Sequence, residues 1–84
     1  YEYFRFDGKE HISPASLPEL KDRTVTLMGL SKTFSITGWR LGYVAAPEPL
    51  AQKIRLANDL FYVCAPTPLQ YGVEAGFNMD KSYY

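Results

Sequence analysis

The chain has 84 residues, with 9 basic and 9 acidic side chains and therefore no formal net charge. That balance supplies no field to recruit nucleic acid or an anionic membrane, so partners have to be sought in local chemistry. With 46% hydrophobic residues the chain is too apolar for a disordered segment, yet no apolar run approaches the roughly 18 residues that span a bilayer.

Tyr1 to Phe6 alternates aromatic with charged residues on a period of two, which predicts a strand, and Asp7-Gly8 predicts a turn after it. The strand begins with no turn before it and on Tyr rather than Met, so this start reads as internal to a longer chain; no basic-then-apolar leader opens it. Residues 9–22 form a loop punctuated by Pro14 and Pro18, with a weak helical pattern over Leu17 to Lys21. His11 has no second ligand at metal-binding spacing and reads as an exposed loop histidine.

Thr24 to Met28 is β-branched and apolar, a buried strand ended by Gly29. After a polar stretch, Trp39 to Ala45 reads as another strand, with Trp39, Leu41 and Tyr43 on one face and Arg40, Gly42 and Val44 on the other. Too few residues separate these strands for a crossover helix, so the pair is expected to be antiparallel.

Pro47 and Pro49 suit a helix start, and Leu50, Ile54, Ala57 and Phe61 then share one stripe, predicting an amphipathic helix over about 48–62 lying on the sheet. Cys64 is the only cysteine, which fits a reducing, cytoplasmic compartment; the expected role is a small buried hydrophobe. A second helix is predicted over about 67–78, with Thr67 as N-cap, Pro68 first in the helix and Gln70 completing a capping box. It would bury Leu69, Val73 and Phe77, while Gly72 and Gly76 would let a neighbour come close. Asp80 is a good N-cap for a further helix through Lys81, Ser82 and Tyr83, so this end also reads as internal.

The candidate chemistry lies between the second and third of these expected strands. Ser31-Lys32-Thr33-Phe34-Ser35-Ile36-Thr37-Gly38-Trp39-Arg40-Leu41-Gly42-Tyr43 resembles the signature of the class I/II aminotransferases, the fold-type I enzymes that use pyridoxal 5'-phosphate (PLP). The resemblance covers essentially the whole chain. It implies an α/β architecture, with all 84 residues part of the large, PLP-binding domain, truncated at both ends. The sheet would be mixed, with the antiparallel strand at 39–45 and the two helices already placed.

By this resemblance Lys32 forms the Schiff base with PLP. A lysine amine is mostly protonated at neutral pH, with a reference pKa of about 10.4, and attacks a carbonyl only when burial or a nearby cation disfavours the charge. Lys32 follows a buried strand, and Arg40 stands eight positions on, so both influences are open to it. Arg40 matches the family's ligand for the cofactor phosphate, where a planar guanidinium can donate two parallel charge-assisted hydrogen bonds. Ser31 and Gly29 belong to the same phosphate neighbourhood; many relatives carry serine where Gly29 stands, so a hydroxyl contact is lost there. Tyr1 continues an Asp-x-x-Tyr pattern and would be the tyrosine that hydrogen-bonds the cofactor's phenolic oxygen, its Asp lying just before residue 1. Trp39 and Tyr43 read as core aromatics rather than cofactor contacts.

The reaction so implied is a ping-pong transfer of an amino group between an amino acid and a 2-keto acid, with the freed Lys32 amine as general base. The full-length protein would be a homodimer with neither nucleic acid nor membrane as partner, and the 84 residues alone would be inactive. Two rivals stand beside this reading: a carbon-sulfur or ring-forming lyase of the same fold, and the aminotransferase-like, PLP-binding domain of a transcription regulator. Thr37-Gly38-Trp39-Arg40 looks more like the transaminase branch than the lyases.

Overall fold

The apolar run that leads to Met28 forms β1 (Thr26–Gly29), and the chain returns in β2 (Gly42–Ala45). The two pair antiparallel, Thr26 opposite Ala45 and Gly29 opposite Gly42, as their short connection requires. The computed structural model describes residues 1–84, a small α/β arrangement of this two-stranded sheet, four α-helices and three 3-10 turns. The faint helical pattern before Lys21 becomes the single turn α1 (Pro18–Lys21), and a second single turn, α2 (Leu30–Thr33), follows β1 directly.

Two longer helices complete the chain. α3 (Glu48–Phe61) has Pro47 as its cap and Pro49 in its first turn, where a missing N–H breaks no helical bond. α4 (Thr67–Phe77) begins one residue earlier than expected. Its cap is Pro66, Thr67 is already helical, and the Gln70 side chain donates to the Ala65 carbonyl at 2.7 Å instead of completing a capping box. A proline is tolerated equally in either of the first two helical positions, so Pro68 did not fix the start. Beyond α4, Asp80 caps the turn Lys81–Tyr83, its carboxylate accepting the Ser82 N–H at 2.7 Å.

The expected strand over Tyr1–Phe6 does not form, and with it the expected mixed sheet reduces to one antiparallel pair. The segment turns on itself instead, Phe4 N–H donating to the Tyr1 carbonyl and Arg5 N–H to the Tyr3 carbonyl. Its aromatics find local partners: Tyr1 tilts against Phe4 and Tyr3 stacks on Tyr84 with ring centroids 3.6 Å apart. Alternation describes a side-chain pattern, but a strand also needs a neighbouring edge to satisfy its backbone. The Asp7-Gly8 turn is present, both residues at positive φ.

The strand expected over 39–45 starts only at Gly42. Thr37–Trp39 is a 3-10 turn, and Arg40 ends it in the left-handed region at φ 56°, a conformation that cannot continue a ladder.

The core is small: Leu30, Leu41 and Val73, with Phe34, Ile36, Ala65 and Leu69 packed against them. Only 4 of the 84 residues are buried, and none of these is on α3. The α3 stripe therefore does not lie on the sheet as expected. Ala51 and Ile54 face Gly42, Tyr43 and Val44 of β2 across a cavity of about 320 Å³, and Phe61 at the far end is 89% exposed. Cys64 is exposed, against the expected burial, because it sits in the extended link between α3 and α4. No helix is long and apolar enough to cross a membrane.

Candidate active site

The single turn α2 decides where the key side chains point. Leu30 and Thr33, three positions apart, share its inner face and are buried. Ser31 and Lys32 fall outside that face: Ser31 is half-buried and Lys32 exposed. The burial expected of Lys32 is thus not observed, because the two inward positions of so short a helix are already taken. The turn is pinned at its start by Leu30 N–H donating to the Leu41 carbonyl at 3.0 Å, which holds the beginning of α2 beside the chain that enters β2.

Arg40 returns to the same neighbourhood through Thr37. The Thr37 hydroxyl donates to the Ser31 carbonyl at 3.2 Å, and the Thr37 carbonyl accepts from Arg40 Nη1 at 2.9 Å. One residue therefore joins the turn that carries Lys32 to the turn that carries Arg40. The motif includes Thr37, but its pattern gives that residue no tethering role. The available signal was its type, since threonine side chains bond nearby backbone where a chain reverses. The pattern likewise gives no role to Thr33, whose buried hydroxyl has no hydrogen-bond partner, an arrangement that costs about 1–3 kcal/mol.

The other expected site residues lie apart from this bridge. Gly29 closes β1 with open space where a side chain would stand, so an anion could approach its backbone closely. Tyr1 is 77% exposed and lines a cavity of about 770 Å³ together with Tyr3, His11 and Tyr84. Ser31, Lys32 and Arg40 are not among the residues of that cavity, so Tyr1 is not brought to them. Trp39 and Tyr43 are both part-exposed aromatics, Tyr43 packing edge-on against Phe77 at 6.1 Å between centroids.

The donor set suits a phosphorylated aldehyde such as PLP: a primary amine for the carbonyl, and a guanidinium and a hydroxyl for the phosphate. No acidic residue occurs between Arg23 and Pro47, so no carboxylate in this stretch opposes an anion. No ion pair engages Lys32 or Arg40, which leaves both side chains unneutralised.

Residues 1–83 match the family of class I and II aminotransferases. The chain belongs to that family. It is 41% identical over 83 residues to aromatic-amino-acid aminotransferase 2 of Thermococcus litoralis, a match covering 99% of this chain and 21% of that protein. It is 40% identical to an aspartate aminotransferase of Pyrococcus abyssi, with the same coverage. Against kynurenine–oxoglutarate transaminase 3 of Rattus norvegicus it is 42% identical over 81 residues, 95% of this chain and 18% of that protein. The chain thus spans about a fifth of the length of these curated aminotransferases. No solved structure matches it significantly.

Proposed function

We propose that the full-length protein is a PLP-dependent aminotransferase of fold type I, exchanging an amino group between an amino acid and a 2-keto acid. The observation that carries this reading is the hydrogen-bonded bridge through Thr37, which keeps an amine and a guanidinium on adjoining turns of one loop. The names of the relatives support the transaminase branch over the lyases.

Each residue then has a part fitted to its chemistry. Lys32 Nζ would hold the cofactor's aldehyde carbon and, as a free amine, would be the base that moves the proton from the substrate's α-carbon. Arg40 holds the phosphate, with the Ser31 hydroxyl and the Gly29 backbone beside it. To reach a phosphate, the Arg40 guanidinium gives up or shares its bond to the Thr37 carbonyl; its remaining donors already allow sharing. Tyr1 is assigned to the cofactor's phenolic oxygen, which requires the segment before Asp7 to leave its present turn. The bound cofactor supplies the electron sink for the carbon–hydrogen bond being broken. The substrates are an amino acid and a 2-keto acid, and the assembly is a homodimer in the cytoplasm.

Borohydride reduction of the full-length protein, followed by peptide mass analysis, tests the assignment. The phosphopyridoxyl mass is expected on Lys32. Its appearance on another lysine, or on none, overturns the reading.

A further inference from the structure

Four contacts fasten the loop between Lys32 and Arg40 to the last part of the chain. The Trp39 ring lies over Gly72, where an added Cβ would meet Cζ3 at 2.8 Å and Cη2 at 2.9 Å. One helical turn further on, the Phe34 ring lies over Gly76, where an added Cβ would meet Cγ and Cδ1 at 3.1 Å. The same ring packs edge-on against Phe77, with centroids 5.2 Å apart at 89°. Beyond α4, the hydroxyls of Ser35 and Tyr83 are 3.1 Å apart.

These contacts are not spread at random. Gly72 and Gly76 share one face of α4, and each weakens a helix relative to alanine. The rings they receive flank the Thr37 bridge: Phe34 follows α2 directly, and Trp39 immediately precedes Arg40. We propose that the Gly72–Gly76 face of α4 positions the cofactor-holding loop, setting the reach between Lys32 and Arg40 by seating Phe34 and Trp39. This role rests on Lys32 and Arg40 holding the cofactor.

The two glycines are positioning residues, since they touch rings and no ligand. A methyl group at position 72 cannot coexist with the Trp39 ring where it lies, because contacts below 3.0 Å are not tolerated. The ring must move, and its backbone is one peptide from Arg40, which is already confined to a left-handed conformation. At position 76 the added contact is longer and the required shift smaller. Gly72→Ala should therefore disturb the loop more than Gly76→Ala.

The test uses the full-length protein and three readouts: PLP affinity of the apo-protein by equilibrium dialysis, thermal unfolding of the apo-protein, and borohydride labelling. Groups that orient metal ligands are typically worth about tenfold or more in metal affinity, and on that scale Gly72→Ala is expected to weaken PLP binding about tenfold and Gly76→Ala less. Alanine's gain in helix propensity offsets part of the cost of moving each ring, so both apo-variants should still unfold cooperatively, Gly76→Ala at a higher temperature than Gly72→Ala. Adding Trp39→Phe, which removes the outer indole ring, should restore affinity in the Gly72→Ala background.

Wild-type affinity in Gly72→Ala overturns the proposal, and so does a loss that Trp39→Phe does not restore. If Gly72→Ala does not fold, Trp39→Phe must recover both folding and affinity, and failure of either overturns it. Labelling of wild-type Lys32 keeps the two levels apart. If Lys32 is not labelled, the functional reading fails and this role falls with it; if Lys32 is labelled and the variants bind normally, only the positioning role fails.

Discussion

The loop from Leu30 to Leu41 and the helix α3 are both rich in apolar residues and meet opposite fates. The loop folds back on itself: Leu30 and Leu41 are buried, their backbones are hydrogen-bonded to each other, and Phe34 and Trp39 are seated on α4. α3 keeps its helical hydrogen bonds but buries no residue fully: Ala51 and Ile54 are half-buried, while Leu60 is 83% and Phe61 89% exposed. Helical backbone bonds are satisfied within the segment, so a helix with a good start can form without its apolar stripe being covered. The loop has no continuous ladder: single turns, the Thr37 bridge and the Leu30–Leu41 bond hold it together with contacts to β2 and α4. Shape in one region is local, and in the other it is tertiary.

The radius of gyration shows the same division. At 14.7 Å it exceeds the roughly 12 Å of a compact domain of this length, and the shortest extent is 18 Å against 43 Å for the longest. The chemistry-bearing loop occupies the packed part of this flattened body.

The contrast can be broken most severely at the site itself. In the full-length protein, Lys32→Ala is expected to abolish transamination, measured as keto-acid-dependent amino-group exchange, while leaving far-ultraviolet circular dichroism unchanged. The side chain is exposed and supports no packing, so a large loss of structure in that variant would contradict the geometry of α2.

Next in size comes the core. Leu→Ala at a buried position costs about 2–5 kcal/mol. In the 84-residue chain, followed by hydrogen exchange, Leu30→Ala should strip protection from the amides of Leu30 and Phe34, which donate to Leu41 and Leu30. Leu60→Ala should change that protection by no more than the about 0.5 kcal/mol typical of an exposed site. Equal effects from the two substitutions would erase the distinction between the loop and α3.

The smallest effect is expected at the C-terminal turn. Hydrogen bonding by Ser82, through its side chain first and its backbone N–H second, holds the Asp80 carboxyl below its ordinary pKa of 3.8. A depressed carboxyl stabilises the folded turn fully above the unfolded value, and that contribution disappears as pH falls through the lower, folded value. The Ser82 amide resonance of the full-length protein should therefore titrate below pH 3.8; a midpoint at or above it would mean that the cap is not formed.

Much of the architecture was legible before any coordinates. α3, α4, the antiparallel pairing of β2 and the Asp80 cap each follow from short-range rules: proline placement, period, connection length and a capping carboxylate. The glycine spacing in α4 also foretold a close neighbour, though not which one. The misreadings share a different character. Tyr1–Phe6 had a strand's pattern and no edge to join, while Trp39 and Arg40 had a strand's alternation in a turn that ends at positive φ. Cys64 had a buried residue's chemistry in a link that nothing covers.

For the site, the residue types and their order in Ser31–Tyr43 were enough to identify the family and to single out Lys32 and Arg40. Sequence alone could do this because side-chain type and spacing are read directly from it, and an amine and a guanidinium at these offsets carry the resemblance. What only the tertiary structure decided is how the two are held: Lys32 turned outward because Leu30 and Thr33 take the inner face, and Arg40 tethered through Thr37. Those outcomes depend on which groups remain unsatisfied once the loop meets β2 and α4, and that competition between distant partners is not written in any local pattern.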